Sequence, residues 1–337
     1  MSAAVAPVSP AQILKDLDAL WLGLGESQAA DSNHPSAVLR ACAMTLIAVV
    51  EGDGQEIGET LAMLVRQHPS RLIVVPVSEG SEPRLQAGVT AQCWMPFGRH
   101  QQICCEQIVL STSTASLVEI PPVIRGLIVP DLPVACWVRG RQILHAPELK
   151  GVIDLADKLI LDSSGVQELG RQIQFLRDHE AGPRRVGDLA WTRLTRWRQA
   201  IAQLFDDAGG AERAQRLQWV RIEYQGRFIP MSAYYMAAWL RNSVGRALEF
   251  TFVNAGECDR ARVYAVVLGG GGGDDVSIRV SADRGVQLHT GTLDAYSVFP
   301  PLTEYELLRE ELSVLGPDPI FEAVIGSVQE LMMAGKT

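Results

Sequence analysis

The chain is short of the features that announce whole classes of protein. Its 30 basic residues against 39 acidic ones leave a formal charge of −9. No Lys/Arg run goes beyond pairs such as Arg184-Arg185, so the basic footprint that nucleic-acid binding needs is missing. An acidic surface also disfavours anionic membranes, and the longest apolar stretch, Ala41 to Val50, is too short to span one. Met1 to Pro10 lacks the charged start and apolar run of a secretory signal. Six cysteines in 337 residues are too sparse for a disulfide framework, and none stands in a C-x-x-C pair. Neither nucleic acid nor membrane is expected as a partner, and a reducing cytoplasm is the expected location.

Catalytic signatures are equally scarce. There is no P-loop, no H-E-x-x-H and no nucleophile elbow, and the six histidines scatter among loops and element ends. The residues therefore give no reason to expect a catalytic cluster, a metal or a cofactor.

What remains is globular. Apolar residues make up 47% and charged residues 20%, enough to build a core, and 337 residues suggest about two domains. Residues 11–22 carry apolar side chains at helical spacing and predict a helix, followed by a loop from Gly23 to Pro35. Thr45–Val50 and Arg71–Val77 are short, β-branched runs that predict buried strands, with a helix over Glu56–His68 between them. Leu85–Met95 and Gln101–Leu110 flank the turn Pro96–His100 and predict a hairpin. A helix over Ser113–Val129, strands at Leu132–Val138 and Lys158–Leu161, and a helix over Gly165–His179 follow. The expectation is a Rossmann-like domain over 1–185, with a mostly parallel sheet carrying an antiparallel hairpin.

Residues 186–337 read differently. A helix over Asp188–Asp206, a strand at Arg216–Tyr224 and a helix over Met231–Val244 precede four strands: Ala247–Val253, Ala261–Leu268, Asp275–Ser281 and Gly285–Thr290. Two helices, near Thr303–Val314 and Ile320–Met333, close the chain. Short turns between strands predict an α+β domain with an antiparallel sheet, and Gly269–Gly273 reads as a hairpin loop.

Four places could carry function. Gly52-Asp-Gly54-Gln-Glu-Ile-Gly58 follows a strand and opens a helix, as a dinucleotide-binding turn does, but at one residue too many for G-x-G-x-x-G. Glu51, Asp53, Glu56 and Glu59 crowd the place of the phosphates. Each such pair at about 5 Å repels by roughly 3 kcal/mol at an effective dielectric near 20, against about 0.3–1 kcal/mol offered by a helix terminus. Asp162-Ser163 sits after a strand and before a helix, where α/β sheets bind ligands, although Asp and Ser are also ordinary helix caps. These two places, Gly52, Gly54, Asp162 and Ser163, support an alternative: a nucleotide- or sugar-phosphate-binding enzyme or sensor.

The third place is the hairpin. Cys93, Cys104 and Cys105 are candidate redox residues there, with Cys93 and Cys104 on facing arms. Successive strand residues point to opposite faces, so Cys104 and Cys105 cannot share a metal, and small buried residues are the plainer reading. The fourth is the stretch from Asp188, with Trp191, Arg193, Arg196, Trp197 and Arg198. Trp and Arg are the types most enriched at protein interfaces, though both tryptophans would suit a core equally well.

These segments also carry a resemblance. His68-Pro-Ser-Arg71, Cys104-Cys-Glu-Gln-Ile108, Val129-Pro-Asp-Leu-Pro133 leading to Trp137, Asp157-Lys-Leu-Ile-Leu-Asp-Ser163, Asp188-Leu-Ala-Trp-Thr-Arg-Leu-Thr195 with Trp197-Arg198, and Ala238-Trp-Leu240 occur in this order. Together they resemble the glucose-6-phosphate dehydrogenase assembly protein family, OpcA. Trp137-Val138 departs from the paired tryptophans frequent in that family. The resemblance implies a non-catalytic partner of glucose-6-phosphate dehydrogenase that favours its active oligomer, acting as an allosteric activator in the oxidative pentose phosphate pathway and so on NADPH supply.

Overall fold

A computed structural model describes residues 8–29, 38–96, 101–140, 142–206, 209–259, 261–270, 275–281, 285–291 and 293–334. In chain order the elements are α1 (Pro10–Ala29), β1 (Val38–Arg40), β2 (Met44–Glu51), α2 (Gly58–Gln67), β3 (Ser70–Ser78), β4 (Leu85–Trp94), β5 (Gln102–Ser113), α3 (Ile120–Arg125), β6 (Val134–Arg139), α4 (Lys150–Ile153) and β7 (Lys158–Leu161). Then follow α5 (Leu169–Glu180), β8 (Arg185–Asp188), α6 (Leu189–Thr192), α7 (Thr195–Gln203), α8 (Gly210–Arg216), β9 (Leu217–Gln225), α9 (Met231–Val244) and β10 (Glu249–Asn254). The chain ends with β11 (Arg262–Gly270), β12 (Val276–Val280), β13 (Gly285–Thr290), β14 (Leu293–Val298), α10 (Glu304–Leu312) and α11 (Pro319–Ala334).

Two compact units form: residues 1–161 with 304–315, and residues 162–303 with 316–337. This division falls earlier than residue 185, where the sequence pattern ends the first domain, because α5 packs on α11 and goes with the second unit.

In the first unit the strand order is β1-β5-β3-β2-β6-β7, with β4 beside β5. All pairs are parallel except β4–β5. The central strands are the most continuously apolar, Leu46 to Val50 and Leu72 to Val75 all being buried. Strands covered on both faces need no alternation, and each fully buried Val, Leu or Ile contributes about 1.5–3 kcal/mol. Helix α2 buries Leu61, Leu64 and Val65 and packs against α10, which buries Leu307, Leu308 and Leu312. Lys158, on β7, is 5% exposed; its Nζ meets Glu311 Oε1 at 2.7 Å. It also donates to the carbonyls of Glu311 and Val314 at 2.8 and 2.6 Å, closing the C-terminal end of α10 with a cation.

The second unit holds a mixed sheet, β10-β9-β11-β12-β13-β14. β9 and β10 run parallel and the other pairs antiparallel. The expected antiparallel sheet is thus corrected at one edge: α9 carries the chain back between β9 and β10, a strand–helix–strand connection that makes neighbours parallel. Helix α9 is buried from Met231 through Ala238 except at Ser232, and Gly245, at φ 67°, ends it in the left-handed region that glycine adopts without strain.

Other expectations shift. The loop from Gly23 is still α1 as far as Ala29. The helix over 113–129 is a 3-10 helix over Thr114–Glu119 leading into the six-residue α3. The helix over 188–206 divides at Arg193-Leu194, where Leu194 N–H reaches back only three residues to Trp191 O. Residues 271–274 of the glycine loop lie outside the described residues. No described helix is long and apolar enough to cross a membrane.

Candidate functional site

In the first unit β3 follows β2 on one side, while β6 lies on the other. The reversal of order between β2 and β6 is the position where open α/β sheets bind ligands beyond their strand ends. Glu51 ends β2 and Arg139 ends β6. The turn between Glu51 and α2 uses Gly52 and Gly54 at φ 92° and 74°, conformations that other residues reach only with strain. Asp53 Oδ1 accepts the Gln55 N–H at 3.0 Å.

This crevice is occupied by the chain's own charges. Glu51 Oε1 accepts the backbone N–H groups of Gln142 and Ile143 at 2.7 and 2.8 Å. Paired backbone amides of this kind are what a phosphate would seek. A Cβ at Gly140 would collide with the Glu51 side chain, so glycine there lets the carboxylate in. Arg139 meets Glu56 at 3.1 Å and Glu304, the first residue of α10, at 3.0 Å. Partial burial works against its charge, but the two carboxylates more than offset this and raise its pKa. Gly52 and Gly54 therefore shape a turn whose nearby donors are already bound by acids.

In the second unit Asp162 and Arg193 form a bidentate pair at 2.7 and 2.8 Å, and Asp162 Oδ1 also accepts Ser164 N–H at 3.0 Å. Burial would raise the Asp162 pKa; the Arg193 hydrogen bonds and charge overcome it and lower the value. Beside this pair Asp188 is fully buried. It caps α6 through Ala190 N–H at 2.8 Å, accepts Ser163 N–H at 3.0 Å, and accepts the Tyr235 hydroxyl at 2.8 Å. Burial, then the nearby Asp162 charge, pushes Asp188 up to about 6. Burial likewise raises Tyr235, followed by the charge of Asp188.

The residues read as an interface are placed unequally. Trp191 is 3% exposed and Trp197 8%. The Trp191 indole donates to Asp318 at 3.1 Å, stacks on Phe321 with centroids 5.4 Å apart, and meets Tyr235 edge-on. Arg198 lies over the Trp191 ring at 3.5 Å, and Trp197 meets Phe299 edge-on. Both indoles are thus committed to the interior of the second unit, as their apolar bulk favours. Arg193 serves Asp162, Arg198 reaches Thr195 at 2.9 Å, and Arg196 reaches the Pro300 carbonyl at 3.3 Å. The three arginines stay half-exposed. Tyr235 and Asp318 escaped the sequence reading, since nothing in local spacing links them to Asp188 or Trp191.

On the hairpin, Cys93 and Cys104 form a disulfide. Cys105 faces the other side, donates to Ala41 O at 3.3 Å, and is pushed up to about 11, chiefly by burial. That keeps it a thiol and sets it apart from the linked pair. His100 lies outside the described residues. Among the described residues no group of three or more His, Cys, Asp or Glu could hold a metal ion.

Comparison with known proteins bears on both units. Two domain families of the glucose-6-phosphate dehydrogenase subunit match the chain: the one described as its N-terminal domain over residues 62–178, and the one described as its C-terminal domain over residues 184–325. A Synechocystis protein named as OxPP cycle protein OpcA is 27% identical over 176 residues, 51% of this chain and 36% of the relative. Its Nostoc punctiforme namesake is 23% identical over 223 residues, 65% of this chain and 47% of the relative. The chain thus matches less than half the length of these relatives. Among solved structures, a biliverdin reductase from Synechocystis, bound to biliverdin and NADP+, superposes with TM-score 0.48 at 8% identity, over 87% of this chain and 98% of that one. Likeness at this level says nothing of chemistry.

Proposed function

Because the chain belongs to the OpcA family, whose two domains are those of the glucose-6-phosphate dehydrogenase subunit, we propose that it is a non-catalytic protein that binds glucose-6-phosphate dehydrogenase and favours its active oligomeric state. The observation that carries this reading is the pair of matches, which run in order through both halves of the chain. The two ligand positions support it from the other direction. At one, Glu51 holds the amides an anion would take; at the other, Asp162 is consumed by Arg193.

The mechanism is a population shift. A partner that binds the active oligomer better than the inactive form favours it by that difference, and a tenfold preference is worth about 1.4 kcal/mol. The contact we assign is the surface of α6 and α7, with Arg193, Arg196 and Arg198 as its half-exposed face and Trp191 and Trp197 as its buried support. Through the dehydrogenase the protein acts on the oxidative pentose phosphate pathway and the NADPH it yields, in the cytoplasm.

Mixing the purified chain with the dehydrogenase of its own organism tests the proposal. The expected result is a larger species in sedimentation and a lower substrate concentration for half-maximal rate. Absence of both, or turnover of glucose 6-phosphate by the isolated chain, would overturn it. Arg196→Glu is expected to weaken the complex with the fold intact; an unchanged affinity would move the contact elsewhere.

A further inference from the structure

Strand β10 is an outer strand of the second unit's sheet, and among the described residues it pairs only with β9. Exposed strand edges are normally guarded by lysine, proline or a bulge. Glu249-Phe-Thr-Phe-Val-Asn254 has neither residue, and its pairing with β9 runs without a register shift. Thr251 is exposed and Val253 is 38% exposed. Phe250 lies opposite Val220 and Phe252 opposite Ile222, so both phenylalanines share the side that packs on the helices, where Phe252 meets Tyr234. There they wall a groove of about 650 Å³ together with Leu248, Leu331, Arg241 and Arg246.

Charge is distributed unevenly about this strand. Arg246 is exposed ahead of it, with Arg241 already paired to Glu330 at 2.6 Å, while the exposed Glu257 and Asp259 follow it. Two copies laid side by side in opposite directions would set the basic approach of each against the acidic exit of the other. Side-chain alternation restricts the register, because directly opposed residues must point to the same face. With Thr251 opposite Thr251 of the second copy, Phe250 meets Phe252 of the second copy, twice, on the groove side. Val253 meets Glu249 of the second copy on the other face, and Glu257 of the second copy falls beside Arg246.

We propose that β10 is a homodimerisation edge: two copies pair their β10 strands antiparallel, join their sheets, and fill the twin grooves with each other's phenylalanines. The proposal does not depend on the dehydrogenase reading, since it concerns the chain with itself.

Sedimentation velocity over a concentration series tests it, with hydrogen exchange at residues 250–254 as the second measurement. The wild-type chain is expected to dimerise, with those amides protected as the dimer forms. Thr251→Lys with Val253→Lys changes exposed positions only, and should raise the dimer dissociation constant at least about tenfold at unchanged circular dichroism. Arg246→Glu or Glu257→Arg alone should weaken the dimer, and the two together should restore it. A wild-type chain that stays monomeric, or a dimer indifferent to the lysine pair, would overturn the proposal. So would protection of β10 that develops only when the dehydrogenase is added, which would assign the edge to a foreign strand.

Discussion

Glu106 in the first unit and Asp188 in the second are the most deeply buried acids among the described residues, and they are satisfied in opposite ways. In the first, Glu106 is 3% exposed and meets Arg71 at 2.6 Å, Arg40 at 2.5 Å and the Trp21 indole N–H at 2.7 Å. Arg71 itself is buried and also donates to Leu127 O at 2.6 Å. In the second, Asp188 accepts only from neutral donors, two backbone amides and a tyrosine hydroxyl, and carries a pKa of about 6. The lesson is about what fails when each is disturbed. A salt-bridged acid is dangerous to remove because it strands a buried cation, whereas one held by neutral donors is sensitive to its own protonation.

The largest effect that would break the comparison comes from Glu106→Gln. The shape is kept but Arg71 is left without a counter-ion, which should cost about 3–5 kcal/mol. Hydrogen exchange should find the loss in β3 and β5, with β9 and β11 unchanged. Asp188→Ala comes next. It orphans Ser163 N–H, Ala190 N–H and the Tyr235 hydroxyl, at about 2–4 kcal/mol for the lost cap and unpaired donors, read in β9 and α9.

Protonation sharpens the contrast. The folded pKa of Asp188, about 6, stands above its ordinary value of 3.8, so between these pH values the native state holds a proton that the unfolded chain has released. The stability this group contributes is complete below about pH 4 and lost as pH rises towards 6. The difference in stability between wild type and Asp188→Asn should therefore slope across that window and flatten above it. A flat difference would refute the assignment. The smallest effect is Tyr235→Phe, about 0.5–1.5 kcal/mol for one buried hydrogen bond, measured by denaturant unfolding.

Much of this architecture was legible in the residues, for reasons that differ by element. β2 and β3 show as unbroken β-branched runs because parallel strands are covered on both faces. α9 shows its whole span because it runs from Pro230 to Gly245. β1, β8 and β14 escaped: the first two are three and four residues long, and β14 mixes Asp294 and Ser297 with its apolar residues. Strand direction was recoverable at β10, since a helix between two strands is itself the signal for parallel pairing. The tightened turn at Leu194 was not, because side-chain periodicity does not record a three-residue hydrogen bond.

The functional positions divide similarly. Asp188 could be read as a helix cap from its neighbours, and it is one. Its bond to Tyr235 joins residues 47 apart, a pairing set by tertiary packing alone. The tryptophans suited an interface or an interior equally, and only burial placed them inside. Cys93 and Cys104 were legible as facing residues once the hairpin was seen, since their pairing follows from strand register.

Helix α10 has a consequence for how the molecule is made. It is encoded beyond residue 303, yet it belongs with residues 1–161. A nascent chain that has delivered everything through β7 to the ribosomal exit still lacks the groups that take up Lys158 and complete the partners of Arg139. The first unit must then wait, unfinished, while some 142 further residues (162–303) are translated. Its completion and that of the second unit therefore both await the translation of residues beyond 303.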